Sequence, residues 1–309
     1  MQTKIFGDHD EQTLRQFQMC LEHGNVVGGV LCADGHYGYS QPVGGVIVYE
    51  NQISPSGVGY DIACGNKAVK TNIKYEDIKD DLPKIMDEIF HRVSFGIGRK
   101  NKEKVDHELF DAPEWDVYRE IGKKEYETLY KLARDQLGTV GGGNHYVDLL
   151  ADETTGDVWV ANHFGSRGFG HKTASGFLNL AKGRKFLDKA PGESMEQPPT
   201  LIDLDSELGD MYYQAMTLAG KYAYAGRDYV IRQVIEILNV KVLFEVHNHH
   251  NYAWKETHNG KESIVVRKEA TPSAPGQLGF VGGSMRDISA IVRGKDSEEN
   301  RQAFYSTVH

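Results

Sequence analysis

Apolar positions near the start of the chain recur at helical intervals. Leu14, Phe17 and Leu21 share one face of the stretch from Glu11 to Leu21, which predicts a short amphipathic helix. Between Val26 and Val48 the pattern changes: β-branched apolar runs are cut by Gly28-Gly29, Gly35, Gly38 and Gly44-Gly45, as in short strands joined by tight turns. Ile78, Leu82, Ile85 and Ile89 restore a helical stripe between Glu76 and Val93, with Pro83 placed to start or bend that helix. Residues 99–108 are charged and predict an exposed loop, and Glu114 to Leu137 predicts a further helix. The longest helical signal runs from Glu207 to Leu238, with Met211, Ala215, Leu218, Tyr222 and Tyr229 on one stripe and Gly226 as a candidate interruption. Val240 to Val246 and Ser263 to Arg267 are strand-like. With no internal repeat, low-complexity tract or Pro/Ser/Gly-rich linker, the pattern predicts one compact α+β unit. Its functional residues would sit on strand ends and Gly-rich loops, with helices packed outside.

Composition sharpens this picture at three points. No apolar run approaches the roughly 18 residues that cross a bilayer, so no membrane role is expected. Three cysteines, Cys20, Cys32 and Cys64, cannot build a disulfide framework, and a reduced cytoplasmic compartment fits them best. The net charge of −9 argues against broad, non-specific coating of nucleic acid, while leaving room for a local basic groove. The 34 glycines and 13 histidines are both clustered, which directs attention to particular segments.

Five Gly-rich segments carry candidate chemistry. In Pro55-Ser56-Gly57-Val58-Gly59-Tyr60-Asp61-Ile62-Ala63-Cys64-Gly65, a carboxylate and a thiol three residues apart can converge on one metal. The plainer reading is a buried cysteine in a turn. Gly141-Gly142-Gly143-Asn144-His145-Tyr146-Val147-Asp148 suits a loop lying against a phosphate or nucleotide, but lacks the Gly-Lys-Ser/Thr of a Walker loop and reads equally as a tight turn. His163 ends a strand-like run, and Arg167 among small residues can reach a phosphate as a planar fork. In Val246-His247-Asn248-His249-His250, strand alternation keeps the three histidines from pointing into one site, so at most one or two are ligands. Gly282-Gly283-Ser284 offers backbone N–H groups and a hydroxyl to an anion.

Taken in order, these segments resemble the RtcB family of RNA-splicing ligases over nearly the whole chain. The matching pieces are Ala33-Asp34-Gly35-His36, Gly57 through Gly65, Gly141-Gly142-Gly143-Asn144-His145, His163-Phe164-Gly165-Ser166-Arg167-Gly168, His250-Asn251-Tyr252-Ala253 and Gly283-Ser284-Met285. The resemblance implies a manganese- and GTP-dependent ligase that joins an RNA 3′-phosphate, or 2′,3′-cyclic phosphate, to a 5′-hydroxyl, with tRNA among the candidate substrates. It implies two metal ions on Asp61, Cys64, His145, His163 and His250, with Cys64 as the bridge. Asn144, Tyr146, Asp148, Gly283, Ser284 and Met285 would line the guanosine-phosphate pocket, and Arg167 would hold a substrate phosphate. It leaves open an activating protein partner.

The histidine that the family guanylylates opens a His-Gly-Ala-Gly-Arg motif. Phe304-Tyr305-Ser306-Thr307-Val308-His309 matches its approach, which makes His309 the expected nucleophile. The continuation and a later guanine-contacting lysine are not in the sequence, so the expectation is a single catalytic domain over 1–309 lacking the C-terminal part of the family domain. Asp148 stands for a usual Glu, Gly282 for a proline, Glu269 and Pro272 for Gly and Arg, and Phe164 for Ser. These departures keep two other readings in view. One is a two-metal phosphoesterase acting on cyclic phosphates without GTP. The other is an inactive, metal-stabilised RNA-binding paralogue, since thiolate and imidazole donors intrinsically favour zinc over manganese.

Overall fold

A computed structural model of the chain describes residues 1–101, 103–189, 192–284 and 286–309. Two sheets organise it. In the larger, the strands run in the order Gln2–Ile5, Val26–His36, Val43–Tyr49, Lys261–Lys268 and Asn251–His258; the first pair is parallel and the others antiparallel. The second is antiparallel throughout, in the order Val242–His249, Gly65–Lys74, Asp157–His163 and Tyr146–Ala151. The chain passes from the second sheet to the first at His250, between the strands ending at His249 and starting at Asn251. This is the expected α+β class.

The first predicted helix forms at Glu11–Leu21, and the Asp10 side chain accepts from Thr13 N at its start. The second divides: Tyr75–Ile78 is a separate turn of helix, and Leu82–Arg92 begins with Pro83 in its first turn, where a missing N–H costs nothing. The single helix expected over Glu114 to Leu137 is also two, Asp116–Ile121 and Lys123–Gln136, because Gly122 is extended between them. Gly226, by contrast, does not interrupt Glu207–Leu238, which is continuous and capped by Ser206 and a left-handed Asn239. A Cβ on Gly226 would lie 3.3 Å from the ring of Phe164, so the glycine serves close packing rather than a break.

That long helix corrects the expectation of helices packed outside. It is buried through Tyr212, Ala215, Met216, Leu218, Tyr222, Ala223, Arg227 and Val230, and packs against the helix Arg167–Ala181 and the second sheet. Around it, Trp115, Tyr118, Phe169, Phe177 and Tyr222 form an aromatic core, with Trp115 and Phe169 centroids 5.2 Å apart. Among the described residues, no helix is long and apolar enough to cross a membrane.

Candidate metal centre

Register in the second sheet explains why residues far apart in sequence meet. Gly65 pairs with His249, Asn66 with His163, and Tyr146 with His163. Cys64 immediately precedes Gly65, His145 precedes Tyr146, His163 closes its strand and His250 follows His249. One end of the sheet therefore delivers four of the expected ligands, and the turn before Cys64 adds Asp61. The approach is tight: a Cβ on Gly65 would meet the Asn248 carbonyl oxygen at 2.1 Å, which requires glycine there.

The donors form two groups. Cys64, His163 and His250 offer ligand atoms within 4.8 Å of one another, as do Asp61, Cys64 and His145, so the thiol belongs to both. Cys64 Sγ lies 3.1 Å from His163 Nε2 and 3.7 Å from His145 Nε2, and His145 Nε2 lies 3.0 Å from Asp61 Oδ2. Of the histidine cluster, only His250 enters this site. His247 and His249 instead accept hydrogen bonds from the buried Arg227, at 2.9 Å each, in keeping with strand alternation.

Unpartnered polar atoms mark the same place. Both ring nitrogens of His250 and both carboxylate oxygens of Asp61 are buried without a hydrogen bond, since the His145 contact lacks hydrogen-bond geometry. Such atoms are costly in an apolar interior, and cations would satisfy them. Burial pushes the His163 imidazole down to about 3, helped by His145 and His309 nearby, and burial likewise drives His250 well below the usual range. Both rings are therefore neutral, as ligands must be. Burial, with Asp61 and Glu269 adding negative charge, holds the Cys64 thiol well above its ordinary value, so a metal would have to displace its proton. A carbonyl at Val140 lies 3.0 Å from His145 Nδ1 and orients Nε2 toward the site. This mixed sulfur, nitrogen and oxygen donor set fits divalent cations, which the two trios that share Cys64 would hold.

A cavity of about 820 Å³ opens beside the ligands. It is lined by Asn144, Tyr146, Asp148, Gly283 and Ser284 as well as His145, His163, Asp34 and His309, which brings the expected nucleotide residues and the expected nucleophile onto one wall system. Met285 lies outside the described residues. Tyr146 reaches across with its hydroxyl buried and unpartnered, and a Cβ on Gly282 would stand 2.0 Å from that oxygen. Burial raises the Asp148 carboxyl above its usual range. Ser284 donates its hydroxyl to Asp287.

His309 is held from both sides. Its Nδ1 lies 2.7 Å from Asp34 Oδ2, which also accepts from its backbone N–H at 3.0 Å, and its Nε2 lies 3.0 Å from Glu269 Oε2. Burial opposes the charged form, but the two carboxylates outweigh it and push the imidazole up to about 9. Its ring centroid is 5.1 Å from that of His250. Arg167 reaches the back of the site: Nη1 lies 2.9 Å from His145 Nδ1, Nε is buried without a partner, and a Cβ on Gly141 would overlap the guanidinium. Of the charged loop, Lys100 pairs with Asp135 at 2.7 Å, and Lys102 lies outside the described residues.

Three residues were missed as functional candidates. Asp34 stood inside a matching segment without a role, although a carboxylate near a strand end was visible. Glu269 has a positive φ of 50°, the left-handed region that favours glycine, and the family's usual Gly at this position is the signal that could have pointed to it. Arg227 donates to the carbonyls of Ala63 and Phe164 at 2.9 and 2.6 Å, next to Cys64 and His163, and looked like an ordinary helix charge.

A sequence model of the family described as tRNA-splicing ligase RtcB matches residues 19–309. The chain is 30% identical to the tRNA-splicing ligase RtcB of Thermococcus kodakarensis, an alignment covering 91% of this chain and 71% of that protein. It is 32% identical to the RNA-splicing ligase RtcB of Escherichia coli, covering 86% and 70%. With the tRNA-splicing ligase RtcB of Methanococcus maripaludis it shares 30% identity over 89% and 71%. A match of this extent, on a chain whose sheet register gathers the resembling motifs at one end, means that the protein belongs to the RtcB family.

Proposed function

We propose that this protein is an RNA ligase that uses GTP and manganese to join an RNA 3′-phosphate or 2′,3′-cyclic phosphate to a 5′-hydroxyl, with tRNA among its substrates. Residues 1–309 act in this reading as one catalytic domain in a reducing, cytoplasmic setting. The observation that carries it is that two donor groups sharing Cys64 each place one histidine, His145 and His163, on the wall of the same 820 Å³ cavity that His309 lines.

Asp61, Cys64 and His145 would hold one manganese ion and Cys64, His163 and His250 the other. When bound, the ions supply positive charge beside the phosphoryl oxygens. The remaining work falls to the chain. His309 gives up a ring proton, for which Glu269 is the adjacent acceptor, and its freed nitrogen attacks the α-phosphorus of GTP as pyrophosphate leaves. Asp34 keeps the other nitrogen and the ring orientation. A 2′,3′-cyclic end is first opened by water, which breaks its 2′ P–O bond to leave a 3′-phosphate. An RNA 3′-phosphate oxygen then takes the GMP from histidine as the N–P bond breaks, which turns a poor leaving group into a good one. The 5′-hydroxyl attacks the activated 3′-phosphorus, forming the phosphodiester and releasing GMP. Asn144, Tyr146, Asp148 and the Gly283-Ser284 loop bind the nucleotide, with Met285 assigned there by motif, and Arg167 holds a substrate phosphate by its guanidinium fork.

The test is intact mass after incubation with manganese and GTP, followed by peptide mapping. A GMP adduct on His309 supports the reading, and its absence from metal-loaded protein sinks it. One observation favours a second reading. Both ring nitrogens of His309 are engaged by carboxylates, so neither can attack until a proton has been given up, whereas a two-metal phosphoesterase needs no histidine nucleophile. Hydrolysis of a 2′,3′-cyclic phosphate without GTP would support that alternative.

A further inference from the structure

Beside the metal centre, but outside the cavity already described, lies a smaller cleft of about 360 Å³ lined by Tyr39, Tyr60, His171, Lys182, Arg184 and Glu193 among others. Its aromatic side is a connected set: Tyr39 and Tyr60 meet edge-on with centroids 6.4 Å apart, and Tyr60 and His171 lie 5.3 Å apart, tilted by 34°. Tyr39 is 57% exposed, so its ring contributes little to the core.

The backbone beneath Tyr39 is nevertheless held firmly. The nearly buried Lys268 ammonium donates to the carbonyls of Tyr39 and Gln41, at 2.5 and 2.9 Å. Ser40, between them, has a φ of 60°, accepts at its carbonyl from Cys20 Sγ at 3.2 Å, and donates its hydroxyl to Glu193 at 2.8 Å. A buried lysine and a left-handed serine thus fix a turn whose product is one aromatic ring presented to solvent, the kind of local strain that marks functional sites. Also lining the cleft, Arg184 is exposed and makes no ion pair among the described residues, and Lys182 pairs with Glu193 at 3.0 Å.

Position ties the cleft to the chemistry. Tyr60 directly precedes the candidate ligand Asp61, and His171 lies one helical turn beyond Arg167 on the helix Arg167–Ala181. We propose that this cleft binds a nucleobase of the single RNA strand whose end enters the metal centre, with the base stacked among Tyr39, Tyr60 and His171 and its phosphate facing Arg184 and Lys182. Aromatic faces interleaved with cations are the general means of holding single strands without reading sequence. The proposal rests on the RNA-ligase reading and adds to it the place where the strand is gripped.

The test is fluorescence anisotropy of a labelled oligoribonucleotide ending in a 3′-phosphate, titrated with the metal-loaded protein. Tyr39→Ala and His171→Ala should each weaken RNA binding by about tenfold, the usual scale for one lost stacking partner, while Tyr39→Phe should bind as the unaltered protein does. RNA binding unchanged in both alanine variants overturns the proposal and leaves the ligase reading standing. Loss in Tyr39→Phe as large as in Tyr39→Ala overturns stacking as the cause. Failure of the unaltered protein to bind the RNA removes the ligase reading, and the proposal with it.

Discussion

The backbone N–H of His250 donates to the carbonyl of Cys64 at 2.8 Å, so two candidate ligands from distant parts of the sequence are joined by main chain as well as by the site they face. This bond predicts how Cys64→Ala will behave. Deleting the sulfur removes a donor shared by both ligand groups, yet leaves the backbone tie and the Cys64 N–H bond to the Asp61 carbonyl in place. Metal content measured by mass spectrometry should therefore fall at both positions. Stability in chelator should drop by only about 1 kcal/mol, the cost of losing a small buried group. Unfolding of the variant would instead mean that the thiol serves chiefly to hold the fold.

Gly165 predicts a steric route to the same loss. A Cβ there would sit 2.5 Å from Asp61 Oδ1 and 2.7 Å from Cys64 N, both fixed parts of the candidate centre. Gly165→Ala should displace the Asp61 carboxylate, weaken metal binding by about 10–100-fold as other disturbances of ligand orientation do, and destabilise the fold by roughly 1–3 kcal/mol through overpacking. A cobalt(II) titration followed by its thiolate absorption reads the first effect. Unaltered cobalt affinity would show that Asp61 is not held where ligation needs it.

Arg227 supports the centre from behind. Its guanidinium, fully buried, joins the Ala63 and Phe164 carbonyls to His247 and His249, so one side chain braces the segments carrying Cys64, His163 and His250. Arg227→Met should cost about 3–5 kcal/mol, as expected when a buried, bonded charge is removed and its partners are left unsatisfied. Arg227→Lys should recover less than half of that, because one ammonium cannot match a planar fork with four partners. Urea unfolding in chelator measures both, and equal stability of all three proteins would refute the bracing role.

The parts of the site that were legible in the sequence were those encoded locally. Glycines around Asp61 and Cys64 announced a tight loop with metal-type donors, and strand alternation already limited how many of His247, His249 and His250 could serve. The continuous apolar stripe of Glu207 to Leu238 announced the long helix. Gly122 escaped notice because the apolar period runs on across it, although the backbone there is extended. Asp34, Glu269 and Arg227 escaped for a different reason. Each matters through a neighbour distant in sequence, His309 for the first two and the ligand loops for the third, and no local pattern contains that neighbour.

The clamp on His309 carries a pH prediction for the metal-free protein. Asp34 and Glu269 raise the imidazole to about 9, against an ordinary 6.5, so the folded state binds its proton more tightly than the unfolded chain does. The stabilisation is then complete below about pH 6.5 and is lost as pH rises through about 9. Its upper bound is on the order of 3 kcal/mol. Compared in chelator by urea unfolding, the unaltered protein should exceed His309→Gln in stability at pH 6, and the gap should close by pH 9.5. Glu269→Gln should remove part of the gap, since the Asp34 contact at 2.7 Å persists. A difference that stays constant from pH 6 to 9.5 would mean that the two carboxylates do not hold a charged His309 in the absence of metal.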